Sequence, residues 1–401
     1  MRHHNTTRTM SAMLIGTSIM SLAGLSANVE ATNRRAVVVT ITNNAPENGT
    51  FQTPVWVGFH NGQFDSYDGG TFADTLPIDG SDAIERLAED GTTGPISDDF
   101  DELVRRGAQA TVASRFESPP FAPGERASSL FRLRSNRNRY FSYVSMVLPS
   151  NDFFVANGGP TSHEIFDAQR NFVGESFVVP GTLVDDAGTE VNDELPENTA
   201  FFGQQAPNTG IDENDVISTG LGGARPVTSF IPGGPILSTP EFANADFLAP
   251  GYETLGFRFT EIDLNASRFN TFLQASNEVE DVVSGAFGVA NLALRANGRR
   301  VNFSIVTIGL TGPATAAHLH LGTAGVNGPV VADLSDSIIN LGPVTIIFGQ
   351  LRKNDIVGPL DGADRPVDEL TAEMVGDQVY VNIHTDEFPT GEIRGQVSLV
   401  N

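Results

Sequence analysis

Cysteine is absent from the 401 residues, so the chain can form no disulfide, no cysteine-linked lipid anchor and no catalytic thiol. An exported chain stabilised without disulfides fits a bacterial secreted protein better than an animal one. Positive charge is scarce as well. Lys+Arg total 24 against 49 Asp+Glu, the net charge is −25, and Lys353 is the only lysine. Such a surface repels nucleic acid and anionic membranes and attracts divalent cations. Solubility in a salty environment, where screening removes most self-repulsion, accounts for the same charge. Long apolar runs are also missing, apart from one near the start between Met10 and Leu25. That run is short for a membrane span, follows Arg2 and Arg8, and gives way to polar sequence, as a signal peptide does. Residues 1–31 are therefore expected to be removed, with cleavage after Ala31 (Val29 and Ala31 at the small-residue positions) or after Ala27. Secretion to an extracellular or periplasmic location, with no transmembrane segment, is the expectation.

Enzyme signatures are lacking too. No Gly-x-Ser-x-Gly elbow and no phosphate-cradling glycine loop occurs. His163-Glu164-Ile165-Phe166-Asp167 falls one histidine short of a zinc-protease helix, and Pro160 lies just before it. No catalytic residue and no organic cofactor is expected.

What the chain does have is turn-forming residues, 41 Gly and 23 Pro, beside 40% hydrophobic content. That balance predicts many short strands, and the length predicts two domains. Val37, Val39 and Ile41 alternate with Val38, Thr40 and Thr42 as an opening strand; Val55, Val57 and Phe59 form another, with Trp56 on its opposite face. Two short helices are expected at one end of the first sandwich. One runs from a capping Asp82 to Glu89, the other from Ser97 to Arg106. Leu130 to Leu148 reads as a hairpin turning at Ser135 to Asn138, with Arg132, Arg134, Arg137 and Arg139 clustered as a solvated face or a basic ligand site. Ala206 to Pro250 reads as long loops with a few short strands. Beyond the short link Asn265-Ala266-Ser267, Phe287 to Leu294 and Val301 to Ile308 form a hairpin through Ala296-Asn297-Gly298. Val330 to Leu334, Thr345 to Phe348, Gln378 to His384 and Glu392 to Leu399 are further strands, with no helix needed. The fold class is all-β, two β-sandwich domains in tandem over 32–264 and 268–401.

Two acidic segments stand out, Ser145 to Phe154 and Val184 to Glu194. Calcium takes six to eight hard oxygens, and a glycine between carboxylates lets both reach one ion, as Asp186-Ala187-Gly188-Thr189-Glu190 could. Acidic turns without an ion are also common. These segments resemble the signature of the spondin domain, in which Ser-Met-x-x-Pro-Ser-x-Asp-Trp/Phe-Phe is followed by Asp-Ala-Gly-Thr-Asp/Glu; Pro54 to His60 is similar to that domain's opening. The resemblance spans roughly 35–264. It implies a β-sandwich with calcium held at one end by Asp152, Asp186 and Glu190, the last departing from the animal pattern's Asp. Asp185 and Asp193 are secondary candidates. For the whole chain, adhesion or matrix interaction with an extracellular protein or glycan is the main expectation, with a purely structural role in a cell-surface matrix as an alternative.

His318 and His320 stand two apart, on one face of a strand, and His384 lies on another strand. If those strands are neighbours, three imidazoles converge on a zinc or copper ion, which could support redox or dismutase-like chemistry. Otherwise the histidines bond loops at the sheet end, with Glu392 or Thr385 as partners. His318-x-His320-x-Gly322, Gly325 to Val330 and Asn382 to Gly395 closely resemble the paired motifs of the CHRD (chordin-type) domain. That resemblance covers about 268–401 and implies an extracellular immunoglobulin-like sandwich of unassigned activity.

Overall fold

A computed structural model describes residues 33–115, 119–193, 195–218 and 239–400. The expected signal peptide and both cleavage points, Glu194 and much of the loop after Ala206 lie outside these residues. The strands of the first half are β1 (Arg34–Asn43), β2 (Phe51–Gln52), β3 (Val55–His60), β4 (Ala108–Val112), β5 (Arg126–Arg134), β6 (Tyr140–Leu148), β7 (Phe153–Ala156), β8 (His163–Glu164), β9 (Phe177–Pro180), β10 (Asp185–Asp186) and β11 (Glu253–Ile262). One sheet has the order β5-β1-β11-β9. The other runs β10-β7-β6-β3-β4, with β2 and β8 also on β6. Val37, Val39 and Ile41 from β1 meet Val55, Val57 and Phe59 from β3 in the core between these sheets. The alternation expected from the sequence decides those faces.

Trp56 faces the other way, beneath α1 (Ala83–Asp90) and α2 (Gly94–Leu103). It packs on Phe64 and Phe100, and Ile84, Leu87 and Ile96 close over it. The helices were expected at the sandwich end. They instead cover the outer face of a sheet that carries Trp56, Val144 and Phe154 outward, and so add a third layer. Asp82 takes the N-cap position of α1 without a side-chain capping bond. The second helix begins at Gly94, not Ser97, because Pro95 is preset for a first turn and the Ser97 hydroxyl bonds back to Thr93 O inside the helix.

The expected hairpin from Leu130 to Leu148 is not one. β5 pairs with β1 and β6 with β3, so the Ser135–Asn138 turn carries the chain from one sheet to the facing one. Phe131 and Leu133 before the turn and Phe141 and Tyr143 after it enter the same core from opposite sides. The four arginines separate accordingly. Arg139 bonds Glu164 at 2.7 Å, whereas Arg132 reaches the second half of the chain.

That half contains β12 (Arg268–Gln274), β13 (Phe287–Arg295), β14 (Arg300–Ile308), β15 (Ala314–Leu321), β16 (Val330–Asp333), β17 (Ile338–Leu341), β18 (Val344–Leu351), α3 (Pro366–Val375), β19 (Val379–Thr385), β20 (Ile393–Gln396) and β21 (Ser398–Val400). The strand order is β16-β15-β19-β20-β12-β13-β14-β18-β17, with β21 also on β12. Ala296, Asn297 and Gly298 all take left-handed backbone angles in the expected β13–β14 turn. β17 at one edge approaches β15, next to the other edge, where the Asn340 side chain donates to Ala314 O and accepts from Ala314 N.

The reading that no helix is needed is corrected by α3. Its Val367, Leu370 and Met374 join the second core, and the helix lies against β5 and β1 of the first domain. Ala36 and Val38, the opposite face of β1, belong to that same core. Arg132 grips Asp368 with two parallel hydrogen bonds of 2.8 and 3.0 Å, Arg115 bonds Glu369 at 2.9 Å, and Gln378 donates to Arg126 O. The two halves therefore meet across a packed, hydrogen-bonded seam.

Candidate metal centre

β15 and β19 are antiparallel neighbours, with Ala316 opposite His384, His318 opposite Asn382 and His320 opposite Tyr380. Leu319, Leu321, Val381 and Ile383 take the core face. Strand alternation therefore sends His318, His320, Tyr380 and His384 to the other face. One candidate nitrogen from each histidine lies within 4.8 Å of the other two, the one such group of His, Cys, Asp and Glu among the described residues.

The ring nitrogens sort themselves by partner. His320 Nδ1 is 2.8 Å from Gly328 O and His384 Nδ1 is 3.1 Å from Pro389 O. A carbonyl only accepts, so both Nδ1 atoms carry hydrogen and both Nε2 atoms are left with lone pairs. His320 Nε2 is buried with no hydrogen-bond partner. His318 turns Nε2 toward Asp333, 3.7 Å away, and Nδ1 toward His384 Nε2 at 3.0 Å. Outer nitrogens held by a carbonyl, as in His320 and His384, with inner nitrogens converging, is how proteins orient imidazole ligands. Burial lowers all three pKa values, that of His384 to about 4; neighbouring histidines add to the fall at His320 and His384, whereas Asp333 opposes it at His318. Neutral imidazole is the ligating form.

The support comes from residues that the sequence reading did not single out. The His320 ring stacks on Tyr380 at 4.8 Å, and the buried Arg394 guanidinium lies 3.4 Å from the same ring centre. Arg394 also donates to Thr323 O, Val326 O and Asn327 Oδ1, fixing the loop whose Gly328 carbonyl orients His320. Glu392 and Thr385, the expected histidine partners, bond each other and Thr311 instead. Gly328, Pro389 and Arg394 lie inside the motif segments already noted, so those segments were the available signal.

The acidic candidates are arranged differently. Asp152 is fully buried; its Oδ2 accepts from the backbone N–H groups of Thr189 and Glu190 at 3.0 and 3.1 Å, while Oδ1 has no partner. Burial and the neighbouring Asp186 push its pKa well up, against those two donors. Pairing of β7 with β10 brings Asp186 alongside, where it accepts from Gly188 N and Asn192 Nδ2, both at 2.8 Å. The Glu190 carboxylate turns away, to Gly210 N at 2.8 Å and Asn151 Nδ2 at 3.4 Å. Asp185 accepts from the Tyr67 hydroxyl, and Asp193 from Leu195 N and Asn198 Nδ2. Asp152 and Asp186 thus meet, and Glu190 reaches Asp152 through its backbone only. His163 stacks on Phe177 at 3.8 Å, in a strand rather than a protease helix.

Comparison with known families decides the second half. Residues 269–397 match the CHRD domain family. All three histidines and Arg394 fall inside the CHRD domain, a module typical of secreted and extracellular proteins. No family model matches the spondin-like segments. No curated protein and no solved structure matches the chain. No helix among the described residues is long and apolar enough to cross a membrane.

Proposed function

We propose that this is an exported metal-binding protein whose CHRD domain holds one zinc or copper ion on His318 Nδ1, His320 Nε2 and His384 Nε2. The observation that carries the reading is the unpartnered, buried His320 Nε2 beside two other inward nitrogens. Three imidazoles suit a borderline metal and leave a fourth position, which His318, 21% exposed, places on the solvent side. Without an ion, the 3.0 Å contact between His318 and His384 requires a shared proton, and the ion takes its place. Titration of metal-stripped protein with Zn²⁺ and Cu²⁺, followed by elemental analysis, is expected to give one bound ion per chain. His320→Ala and His384→Ala should each abolish it. Undiminished binding in both variants, or none in the wild type, refutes the reading.

The unpartnered Asp152 Oδ1 supports a second ion, a calcium shared with Asp186, as the spondin resemblance implies. Asp152 and Asp186 would supply its carboxylates, and its role would be to neutralise buried charge and tighten the 186–193 turn. A thermal melt with calcium against chelator tests it. As an exported two-domain protein the chain would act by meeting an extracellular protein or glycan.

A further inference from the structure

Although acidic residues outnumber basic ones 49 to 24, six arginines line a single cleft of about 880 Å³ where the two domains meet. Arg34 and Arg35 come from β1, Arg132 and Arg134 from β5, Arg299 from the β13–β14 turn, and Arg365 from the residue before α3. Among the described residues, Glu261 and Asp263 are the only acidic ones in the lining. Arg35 pairs with Glu261, and Arg132 and Arg365 share Asp368. Arg34, Arg134 and Arg299 are exposed and make no ion pair among the described residues.

A chain with twice as many carboxylates as basic groups has ample means to neutralise these arginines locally, and does not. Holding unpaired guanidinium groups together costs self-repulsion that an anionic ligand removes. The apolar lining residues, Ala36, Leu133, Ile262 and Leu264, are all buried, and no aromatic side chain among the described residues lines the cleft. A protein partner, which depends on aromatic and apolar anchors, finds none here. What remains exposed, besides Glu261, paired with Arg35, and Asp263, is forked guanidinium groups suited to carboxylate or sulfate, beside the amides of Asn265 and Asn297 suited to hydroxyl groups.

We propose that this interdomain cleft binds an acidic polysaccharide, with its carboxylate or sulfate groups taken by Arg34, Arg134 and Arg299. The inference gives a place and a chemistry to the extracellular-partner reading and is independent of the histidine centre. The purified chain is titrated at low ionic strength with heparin as the sulfated probe and polygalacturonate as the carboxylated one. Expected is salt-sensitive binding to at least one, the preferred probe telling sulfate from carboxylate. Arg34→Glu, Arg134→Glu and Arg299→Glu should each weaken binding about tenfold, while Lys353→Glu, outside the cleft, leaves it unchanged. Thermal melts of the variants, matching the wild type, confirm that the fold is intact. Binding to neither polysaccharide overturns the proposal, as does binding to inorganic polyphosphate alone, or equal weakening by Lys353→Glu. Zinc stoichiometry measured on the same samples keeps failure here distinct from failure of the metal reading.

Discussion

Glu373 gives a quantitative test of the seam between the domains. It sits on α3, 1% exposed, and its carboxylate faces the Ser128 N–H without a well-formed hydrogen bond, so that donor only partly offsets the burial. Burial pushes its pKa from an ordinary 4.5 up to about 8; Arg115 pulls the other way, and Glu369 adds to the rise. Arg115 is itself committed to Glu369 at 2.9 Å. At pH 7 the folded protein therefore holds a proton on Glu373 that the unfolded chain has released. A carboxyl raised in this way contributes full stability below its unfolded value, about pH 4.5, and the contribution is lost as pH rises to about 8. At about 1.4 kcal/mol per unit, the loss is roughly 3 kcal/mol by pH 7 and roughly 5 kcal/mol above pH 8. Glu373→Gln keeps the shape and has no proton to lose. The variant should match the wild type near pH 4.5, exceed it by roughly 3 kcal/mol at pH 7, and exceed it further at pH 8.5. Urea unfolding of both proteins at the three pH values measures the difference directly, with titrations elsewhere cancelling. A difference that stays constant with pH would show that Glu373 is ionised in the fold and the burial argument wrong.

Arg394→Lys should leave all three histidines in place yet lower zinc affinity by about 10- to 100-fold in a competition titration, because the loop carrying Gly328 loses its anchor. Asp152→Asn removes a buried, unpartnered oxygen charge; it should raise the melting temperature in chelator and abolish any rise on adding calcium. Arg132→Ala breaks the bidentate contact with Asp368 and should cost roughly 1–3 kcal/mol in urea unfolding while leaving metal stoichiometry unchanged.

Alternation made β1, β3, β13 and β14 legible in the sequence, because one face of each had to be apolar. The same rule put His318 and His320 side by side. Bringing His384 to them depends on the β15–β19 register, which is a long-range pairing and leaves no local trace. The turn at Ser135–Asn138 was visible, yet its topology was not. Phe131, Leu133, Phe141 and Tyr143 alternate identically whether their strands pair or face each other across a core. α3 escaped notice for a related reason. It is buried from both sides, by its own domain and by β5, so Val367 to Val375 show no clean polar stripe of the kind that announces a surface helix. The arginine cleft gathers residues from positions 34 to 365; Arg132 and Arg134 were noticed together in the sequence, whereas the adjacent Arg34 and Arg35 lie far from them along the chain and join them only through β1–β5 pairing.

The helix α3 also bears on how such proteins are assembled from interchangeable modules. Its burial against β1 and β5 means that each half carries an adhesive face matched to the other. A gene fragment ending near residue 264 would present Ala36 and Val38 on an open sheet and invite self-association. The second half, moved into another host, would need a docking sheet to receive its helix. Recombination that respects only the link at Asn265–Ser267 would therefore yield two sticky parts, and because Leu370 and Met374 also fill the second core, the helix must travel with that half.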